Sequence, residues 1–317
     1  MEQSTLFQLE TGTGPLREKK DVRLVPLAAK SILNYCDTAR MPDTFTINPY
    51  RGCEFGCTYC YARYTHEFMQ LEGDQFDKKI FVKLEAVKVL LRSFDQHKVG
   101  TRPIAIGTAT DPYQPAESRY RITRGLLEVF SQMKGLRLSV TTKSALVQRD
   151  IPLLVKITAK NHLQVNLSLI SLDADLIRWL EPKASTPQAR LRALRALRQA
   201  GIEAGIFVMP ILPGLTDAVP DLEAVVKAAR QHGASYLGAN VLFLRNASRK
   251  AFYEFLKRRY PGLYPRYHRL YGRRSYAESS YRHQISVCMR TLRQRYGFEI
   301  RPIQAHSETD RQMGLWG

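Results

Sequence analysis

The sequence predicts an α/β protein whose centre is a partial (β/α)6 TIM-type barrel. Two observations support this fold class: six strand-like stretches alternate with helix-like stretches over residues 44–245, and the sequence after them is basic and helical, with no further clear strand. Such alternation is typical of a parallel sheet covered by helices. Six units instead of eight predict an open barrel.

We expect three parts along the chain: an N-terminal extension over residues 1–43, the barrel over residues 44–245, and a basic helical C-terminal cap over residues 246–317. Residues 1–44 are polar and predict an irregular segment. The predicted strands cover residues 44–49, 103–108, 136–142, 162–170, 203–211 and 235–244. The predicted helices between and after them lie near residues 82–95, 123–133, 150–159, 186–200 and 219–232.

Composition excludes several classes of protein. Hydrophobic residues make up 44% of the 317 residues, which is enough to form a core and argues against disorder. No run of about 18 apolar residues occurs, so we expect no membrane span. The N-terminus lacks the apolar segment of a signal peptide. We therefore expect a cytoplasmic protein with reduced thiols.

Three of the five cysteines are clustered: Cys53, Cys57 and Cys60 follow the first predicted strand directly. Clustered thiolates in a reducing compartment indicate zinc or an iron–sulfur cluster. A structural zinc ion needs four ligands, so it would require a distant one such as His66 or Cys36. Three thiolates on a 4Fe–4S cluster would instead leave one iron open for chemistry. The carboxyl end of a barrel strand is also where active sites lie.

Around these cysteines the sequence resembles the radical S-adenosylmethionine (SAM) superfamily, in the branch that contains spore photoproduct lyase. The resemblance is carried by residues 48–63 (NPYRGCEFGCTYCYAR), 110–115 (TDPYQP), 142–144 (TKS) and 181–183 (EPK). It implies that Cys53, Cys57 and Cys60 bind three irons of one 4Fe–4S cluster and that the fourth iron binds SAM. It further implies reductive cleavage of SAM, hydrogen abstraction from a substrate, and a reductant such as flavodoxin or ferredoxin.

The resemblance also indicates residues that would hold SAM. Tyr59 is expected near the adenine. Asp111 could accept hydrogen bonds from the methionyl ammonium, or could simply form the turn before Pro112. The usual Gly-Gly-Glu of the superfamily is absent there, and residues 108–111 (TATD) take its place.

Further candidates follow the next strands. Lys143 could pair with the SAM carboxylate. Ser168 could bond a ribose hydroxyl, and Asn166 would share its strand face. Glu181 and Lys183 could orient SAM or cap the next helix.

Candidates for substrate chemistry are fewer. His66 and Glu67 follow the cysteine loop and could reach a substrate, although a solvated helix start is the more common explanation for such residues. Cys36 and Cys288 could donate hydrogen to a substrate radical, but an isolated cysteine is usually a small buried hydrophobe. Spore photoproduct lyase carries its hydrogen-donating cysteine just before the segment equivalent to residues 110–111. This chain has Thr108 and Ala109 there, so the photoproduct-repair reaction itself is not implied.

The C-terminal region is unusually basic. Residues 245–301 contain 15 Lys and Arg, three acidic residues and half of the 16 tyrosines in a chain of net charge +19. Such a segment predicts a nucleic-acid surface, because cations bind phosphate and tyrosine rings stack on bases. Solvated arginines and packed tyrosines are the alternative.

The sequence therefore predicts a radical SAM enzyme with an unidentified substrate, and nucleic-acid repair or modification is the sharpest version. A radical SAM enzyme for a small molecule or peptide is one alternative. A non-catalytic metal-binding nucleic-acid protein is another.

Overall fold

The computed structural model describes residues 17–19, 22–38 and 41–298. Its strands are β1 (Arg17–Lys19), β2 (Val22–Pro26), β3 (Leu33–Thr38), β4 (Met41–Ile47), β5 (Tyr50–Arg51), β6 (Lys79–Val82), β7 (Pro103–Ile106), β8 (Arg137–Thr142), β9 (His162–Ser168), β10 (Glu203–Ile211) and β11 (Leu237–Val241). Its α-helices are α1 (Ala86–Ser93), α2 (Gln96–Val99), α3 (Glu117–Tyr120), α4 (Ile122–Gln132), α5 (Ile151–Thr158), α6 (Ala174–Leu180), α7 (Pro187–Gln199), α8 (Val219–Gln231), α9 (Asn246–Arg259), α10 (Tyr264–Tyr271) and α11 (Ser279–Arg295). Four 3-10 helices cover Tyr61–Met69, Gly73–Gln75, Ala145–Asp150 and Pro261–Leu263.

The central sheet is a curled half-barrel with the order β11-β10-β9-β8-β7-β4-β3. Six strands of this sheet, β4 and β7 to β11, are parallel, and β3 pairs antiparallel with β4 at the edge. This confirms the predicted partial barrel. Each predicted barrel strand is present, although four are shorter than predicted, most of all the last. All carboxyl ends of the parallel strands meet at one rim, which is where the cysteine loop begins.

The outer helices are amphipathic, as α7 illustrates. Thr186 accepts a hydrogen bond from the Ala189 N–H and begins the helix, and Pro187 occupies its first turn. Leu191 and Leu194 face the sheet and are fully buried, whereas Arg192 faces solvent. Burying such a stripe is the main stabilising term for a helix of this kind.

Residues 22–38 correct the prediction of an irregular N-terminal segment. The strand β2 pairs parallel with β6, and a second sheet forms with the order β1-β2-β6-β5. The strand β3 extends the barrel sheet instead. The partner of β2 lies about 55 residues later in the chain, at Lys79–Val82, so local polarity could not reveal the second sheet. The sequence analysis also did not predict the strand β6. The helix predicted near residues 82–95 begins later than expected, at Ala86.

The C-terminal region is helical over its described residues, as predicted. Helix α11 packs against β11 and α8, and α9 packs against the 3-10 helix Tyr61–Met69. The hydroxyl of Tyr271 donates to the Leu242 carbonyl at 2.8 Å. Among the described helices, none is both long and apolar enough to cross a membrane. The division of the chain into three domains stays a prediction.

Candidate active site

The cysteine loop begins at the barrel rim. Strand β4 ends at Ile47, β5 follows at once, and the segment from Cys53 to Cys60 leads into the 3-10 helix Tyr61–Met69. Cys53 and Cys57 are 8% exposed, and Cys60 is half-buried. The loop therefore lies where barrel enzymes place their active sites, as the sequence predicts.

Gly52 fixes the start of the loop. Its φ is +85°, and a Cβ there would lie 2.8 Å from the Phe76 carbonyl oxygen. The Gly52 carbonyl accepts hydrogen bonds from Thr110 Oγ1 at 2.6 Å and from Gln114 Nε2 at 3.2 Å. The Gln114 amide oxygen accepts in turn from the Glu54 N–H at 2.9 Å. The segment after β7 thus clamps the cysteine loop onto the rim.

Arg63 holds the other end of the loop. Its buried guanidinium donates to the Cys57 carbonyl at 3.2 Å and pairs with Asp77 at 2.8 Å. The Thr58 N–H donates to the Leu180 carbonyl at 3.0 Å, which joins the loop to the end of α6. Sequence reasoning gave Arg63 no role, although it closes the quoted string of residues 48–63.

The three thiols influence one another electrostatically. Burial raises the pKa of Cys53 well above its usual range, and the neighbouring Asp111, Cys57 and Cys60 raise it further. Burial likewise raises the pKa of Cys57 and of Cys60. Three buried thiols on one short loop would ionise together only with a compensating positive charge, which bound metal supplies.

The donor set fits a 4Fe–4S cluster better than zinc. Within the part of the chain that the structure describes, no three His, Cys, Asp or Glu side chains form a site for a single metal ion. In a 4Fe–4S cluster each thiolate binds a different iron, so the three thiols of the loop match three of its four irons. The distant zinc ligands considered above are not brought to the thiols: His66 Nε2 bonds the Lys79 carbonyl at 2.8 Å, and Cys36 Sγ lies 3.9 Å from Thr38 Oγ1.

A buried charge network lies beside the loop and is centred on Glu181. Tyr59 donates its hydroxyl to one carboxylate oxygen of Glu181, and Arg190 donates to the other. Lys143 Nζ lies 4.0 Å from Glu181 and 5.8 Å from the centre of the Tyr59 ring. The structure thus brings Tyr59 and Lys143 together through the carboxylate of Glu181. From the sequence alone, Glu181 could either orient SAM or cap the next helix.

The network fixes the charges of its members. Burial opposes ionisation of Glu181, but Arg190 and Lys143 outweigh it and lower the pKa of the carboxyl. Burial also disfavours the charged form of Lys143, yet Glu181 and Cys57 outweigh it and raise its pKa. Lys143 is therefore a cation at neutral pH, directed toward the cysteine loop.

Arg190 is the member of this buried network for which the sequence analysis predicted no role. It belongs to the arginine-rich helix α7, yet it is fully buried. Besides Glu181, it donates to the Ser168 carbonyl at 2.8 Å and to the Ser185 carbonyl at 2.7 Å. Its place in the helical stripe that faces the sheet was the available signal, since Arg192 and Arg195 fall on the solvent side.

Asp111 joins the ends of β7 and β8. Its Oδ1 accepts from Thr142 Oγ1 at 2.6 Å and from the Tyr113 N–H at 2.9 Å, and its Oδ2 accepts from the Lys143 N–H at 2.7 Å. Burial raises the pKa of Asp111, although these hydrogen bonds oppose the rise. The turn-forming role is therefore present, and contact with SAM stays a prediction.

Asn166 and Ser168 lie on one face of β9, as predicted, and both are buried. The Asn166 amide donates to Ser139 Oγ at 2.9 Å and to Thr141 Oγ1 at 3.1 Å, and its oxygen accepts from the Tyr236 hydroxyl at 2.7 Å. Asn166 thus links three neighbouring elements of the barrel wall. Contact of either residue with SAM stays a prediction.

The candidates for substrate chemistry are dispersed. His66 is fully buried between Phe76 and Phe81, so a solvated helix start is wrong for this residue. Burial also lowers its pKa. Cys288 lies on α11 near Glu223 of α8, outside the barrel wall. Cys36 is on the edge strand β3, in the neighbourhood of Tyr64.

The tyrosines of the C-terminal region pack within it. Tyr253, Tyr267 and Tyr271 are buried, and the last two rings stack with centres 5.8 Å apart. For these three the predicted packing is confirmed, and their rings are not available to stack on bases. Arg259 lies over the exposed ring of Trp179, 3.3 Å from its centre. Contact of this region with nucleic acid stays a prediction.

Comparison with known families identifies the chemistry. The Radical SAM superfamily matches residues 47–229, which is more than half of the chain. The chain belongs to the radical SAM superfamily. It is therefore a radical SAM enzyme, and membership implies a 4Fe–4S cluster and SAM as cofactors and an external reductant. The alternative of a non-catalytic metal-binding protein is wrong.

Relatives of this radical SAM enzyme occur in bacteria and archaea. The uncharacterized protein Rv2578c of Mycobacterium tuberculosis is 37% identical over 258 residues, which cover 81% of this chain and 76% of that protein. The uncharacterized protein MJ0683 of Methanocaldococcus jannaschii is 28% identical over 244 residues, which cover 77% and 86%. Spore photoproduct lyase with bound AdoMet and dinucleoside spore photoproduct has a similar fold, with a TM-score of 0.63 and 17% identity over 86% of this chain and 79% of that one.

Proposed function

We propose that this enzyme binds a 4Fe–4S cluster through Cys53, Cys57 and Cys60 and abstracts hydrogen from a substrate after cleaving SAM reductively. When bound, the cluster supplies the electron that converts SAM to methionine and the 5′-deoxyadenosyl radical. The single observation that carries the proposal is the set of three cysteines on one clamped loop at the barrel rim. The chain's own residues would bind and orient SAM and exclude water.

Lys143 is the residue best suited to bind the SAM carboxylate. Glu181 keeps it cationic, and the Tyr59 ring limits its movement. Asp111 holds the backbone of Lys143 and, with the lone pairs left on its oxygens, could accept a hydrogen bond from the methionyl ammonium. Ser168 would face the ribose. These assignments make Glu181 and Arg190 positioning residues for Lys143, and they make Asp111 both a positioning residue and a ligand of SAM.

The experiment that tests the proposal is anaerobic reconstitution with iron and sulfide, followed by dithionite, SAM and an assay for 5′-deoxyadenosine. The control is a variant with Cys53, Cys57 and Cys60 all changed to Ala. We expect product from the wild type alone. Stoichiometric zinc with no cluster and no SAM binding would overturn the proposal.

We infer that the substrate is a nucleic acid and that the reaction is a repair or a modification. Support comes from the net charge of +19 and from the fold shared with spore photoproduct lyase, whose structure holds a dinucleoside photoproduct. This chain has Thr108 and Ala109 where spore photoproduct lyase carries its hydrogen-donating cysteine. The missing thiol favours a reaction other than photoproduct repair. A flavodoxin or ferredoxin would supply the electron in the cytoplasm.

The substrate class is tested by adding single-stranded and duplex DNA and RNA to the reconstituted enzyme with SAM. A nucleic-acid substrate should increase 5′-deoxyadenosine formation. The measured mass of the oligonucleotide should also change after the reaction. Stimulation by a peptide or small molecule, with no nucleic-acid binding at moderate salt, would favour the alternative substrate classes.

A further inference from the structure

The second sheet carries three cations on one face. Strands β5 and β6 pair antiparallel, with Arg51 opposite Phe81, and the Lys83 N–H continues the ladder to the Pro49 carbonyl at 3.4 Å. Alternation along β6 puts Lys79, Phe81 and Lys83 on the face of Arg51, whereas Ile80 and Val82 point the other way and are fully buried. Arg51 and Lys83 are thus diagonal neighbours on paired strands.

The described part of the chain offers these cations no carboxylate partner. In the described ranges, no salt bridge involves Arg51, Lys79 or Lys83. The Lys83 ammonium donates only to the Asn48 carbonyl at 2.8 Å. Burial, together with Arg51, lowers the pKa of Lys83 to about 8. Two partly buried cations that repel each other lower stability unless an anion joins them.

The cations lie next to the barrel rim. Asn48, which receives the Lys83 hydrogen bond, donates its amide to Thr108 Oγ1 at 3.1 Å and accepts from the Ala109 N–H at 2.8 Å. These contacts join the carboxyl ends of β4 and β7, and Cys53 follows Asn48 closely in sequence. An anion bound by Lys83 would therefore lie beside the rim on which the cysteine loop stands.

We propose that Arg51, Lys79 and Lys83 form a subsite that binds a phosphate group of the substrate; this inference rests on the proposed function and deepens it. The oxygens of one phosphate group can accept hydrogen bonds from the Arg51 guanidinium and from the Lys83 ammonium at the same time. A single carbonyl oxygen cannot satisfy both groups. The phosphate could belong to a nucleic-acid backbone or to a free nucleotide. With either source, the phosphate would lie beside the barrel rim, at the end of β6 that carries Lys83.

The first test measures binding of a fluorescein-labelled single-stranded oligonucleotide to the reconstituted full chain across a range of salt concentrations. Lys83→Met should weaken binding about 3- to 10-fold and should reduce the slope of log affinity against log salt by about 0.7, the value for one lost phosphate contact on a single strand. Lys88→Met is the matched control, because Lys88 is an exposed lysine paired with Glu85 on the nearby α1. Equal affinity and slope in the two variants would overturn the proposal.

A second measurement does not depend on the fold of a variant. Lysines of the wild-type chain are labelled as ¹³C-dimethyllysine, and the pKa of Lys83 is followed by NMR as inorganic phosphate, a mononucleotide or the oligonucleotide is added. Each ligand that binds the subsite should raise this pKa. Tighter binding of the oligonucleotide identifies a backbone phosphate, and equal binding of the mononucleotide identifies a free nucleotide. No shift with any of the three would overturn the proposal.

Failure of this inference is distinguishable from failure of the proposed function. Formation of 5′-deoxyadenosine by the wild type with dithionite needs no phosphate ligand. If that product forms while Lys83 responds to no phosphate, the subsite is wrong and the enzyme assignment stands. If Lys83 responds but SAM is never cleaved, the proposed reaction is wrong.

Discussion

Glu181 is the residue on which the charges behind the cysteine loop depend. It is fully buried and binds Tyr59, Arg190 and, at 4.0 Å, Lys143. A buried carboxylate is tolerated only where cations and donors compensate it, and here two cations do so. The network holds the Lys143 ammonium in a fixed position at the barrel rim. A flexible surface lysine would not be held in one position.

At the residue scale, Arg190→Met should be strongly destabilising. The change leaves the Glu181 carboxylate buried without its hydrogen-bonded cation and frees the Ser168 and Ser185 carbonyls. We expect the free energy of unfolding to fall by about 3–5 kcal/mol, as measured by urea denaturation. Arg192→Met on the solvent side of the same helix should change it by less than about 0.5 kcal/mol. Equal effects would contradict the network.

The ionisation of Glu181 also predicts a pH dependence. Its pKa is lowered in the folded state, so its contribution to stability is fully present above the unfolded value of about 4.3 and is lost as pH falls through the folded value. The difference in unfolding free energy between the wild type and Glu181→Gln should therefore shrink as the pH of urea titrations falls from about 7 to about 3. A difference that is independent of pH would show that the carboxylate is not stabilised by its cations.

At the element scale, hydrogen bonds to its backbone and the conformation of Gly52 shape the cysteine loop more than the cysteines do. The segment after β7 and Arg63 hold the loop from two sides. At Gly52, the backbone is left-handed and leaves no room for a side chain. The loop is thus preorganised for its ligand by hydrogen bonds to its backbone.

Gly52→Ala should reduce the iron and sulfide bound per chain after reconstitution, because the added methyl group collides with the Phe76 and Lys79 carbonyls. Gly135→Ala is the matched control. Gly135 has a similar φ of +75° but nothing within 4 Å of an added Cβ, so it reports the backbone strain alone. Iron contents that fall equally in both variants would show that the close contact at Gly52 does not matter.

The second sheet is also an element whose role can be measured. Leu24 on β2 is buried, so Leu24→Ala should lower the free energy of unfolding by about 2–4 kcal/mol through lost burial and a residual cavity. Leu91→Ala removes the same atoms from a side chain that is 61% exposed, and it should cost little. Near-equal midpoints in urea would mean that β2 is not an integral part of the fold.

At the scale of the whole molecule, the C-terminal helices complete the barrel and are not an appendage. Helix α11 covers β11 and α8, and α9 crosses to the 3-10 helix that follows the cysteine loop. Asp217, beyond β10, binds both Arg266 at 3.2 Å and Tyr281 at 2.8 Å. One continuous hydrophobic core joins the barrel to these helices.

A chain truncated after residue 245 should therefore lose cooperative unfolding and aggregate, because apolar surface on β11 and α8 becomes exposed. Thermal unfolding followed by circular dichroism, with size-exclusion chromatography, compares it with the full chain. A monomeric truncated protein with a cooperative transition would support a separable C-terminal domain instead.

The barrel and the position of the cysteine loop could be predicted from the sequence because both depend on local signals. Strand and helix periodicities recur with each unit, and the three cysteines lie within one short loop. The second sheet could not be predicted, since β2 pairs with a strand that follows the cysteine loop. The burial of His66 was likewise set by Phe76 and Phe81, which reach it from later in the chain.

By itself, the sequence determined the barrel class and the superfamily to which the chemistry belongs, and it predicted the three cysteine ligands. Only the tertiary structure decided that Arg190 is a buried partner of Glu181, that three C-terminal tyrosines are core residues, and that no carboxylate among the described residues pairs with Lys83. The physical reason is that a motif is read within one segment. The charge state and accessibility of a side chain depend on which distant groups surround it after folding.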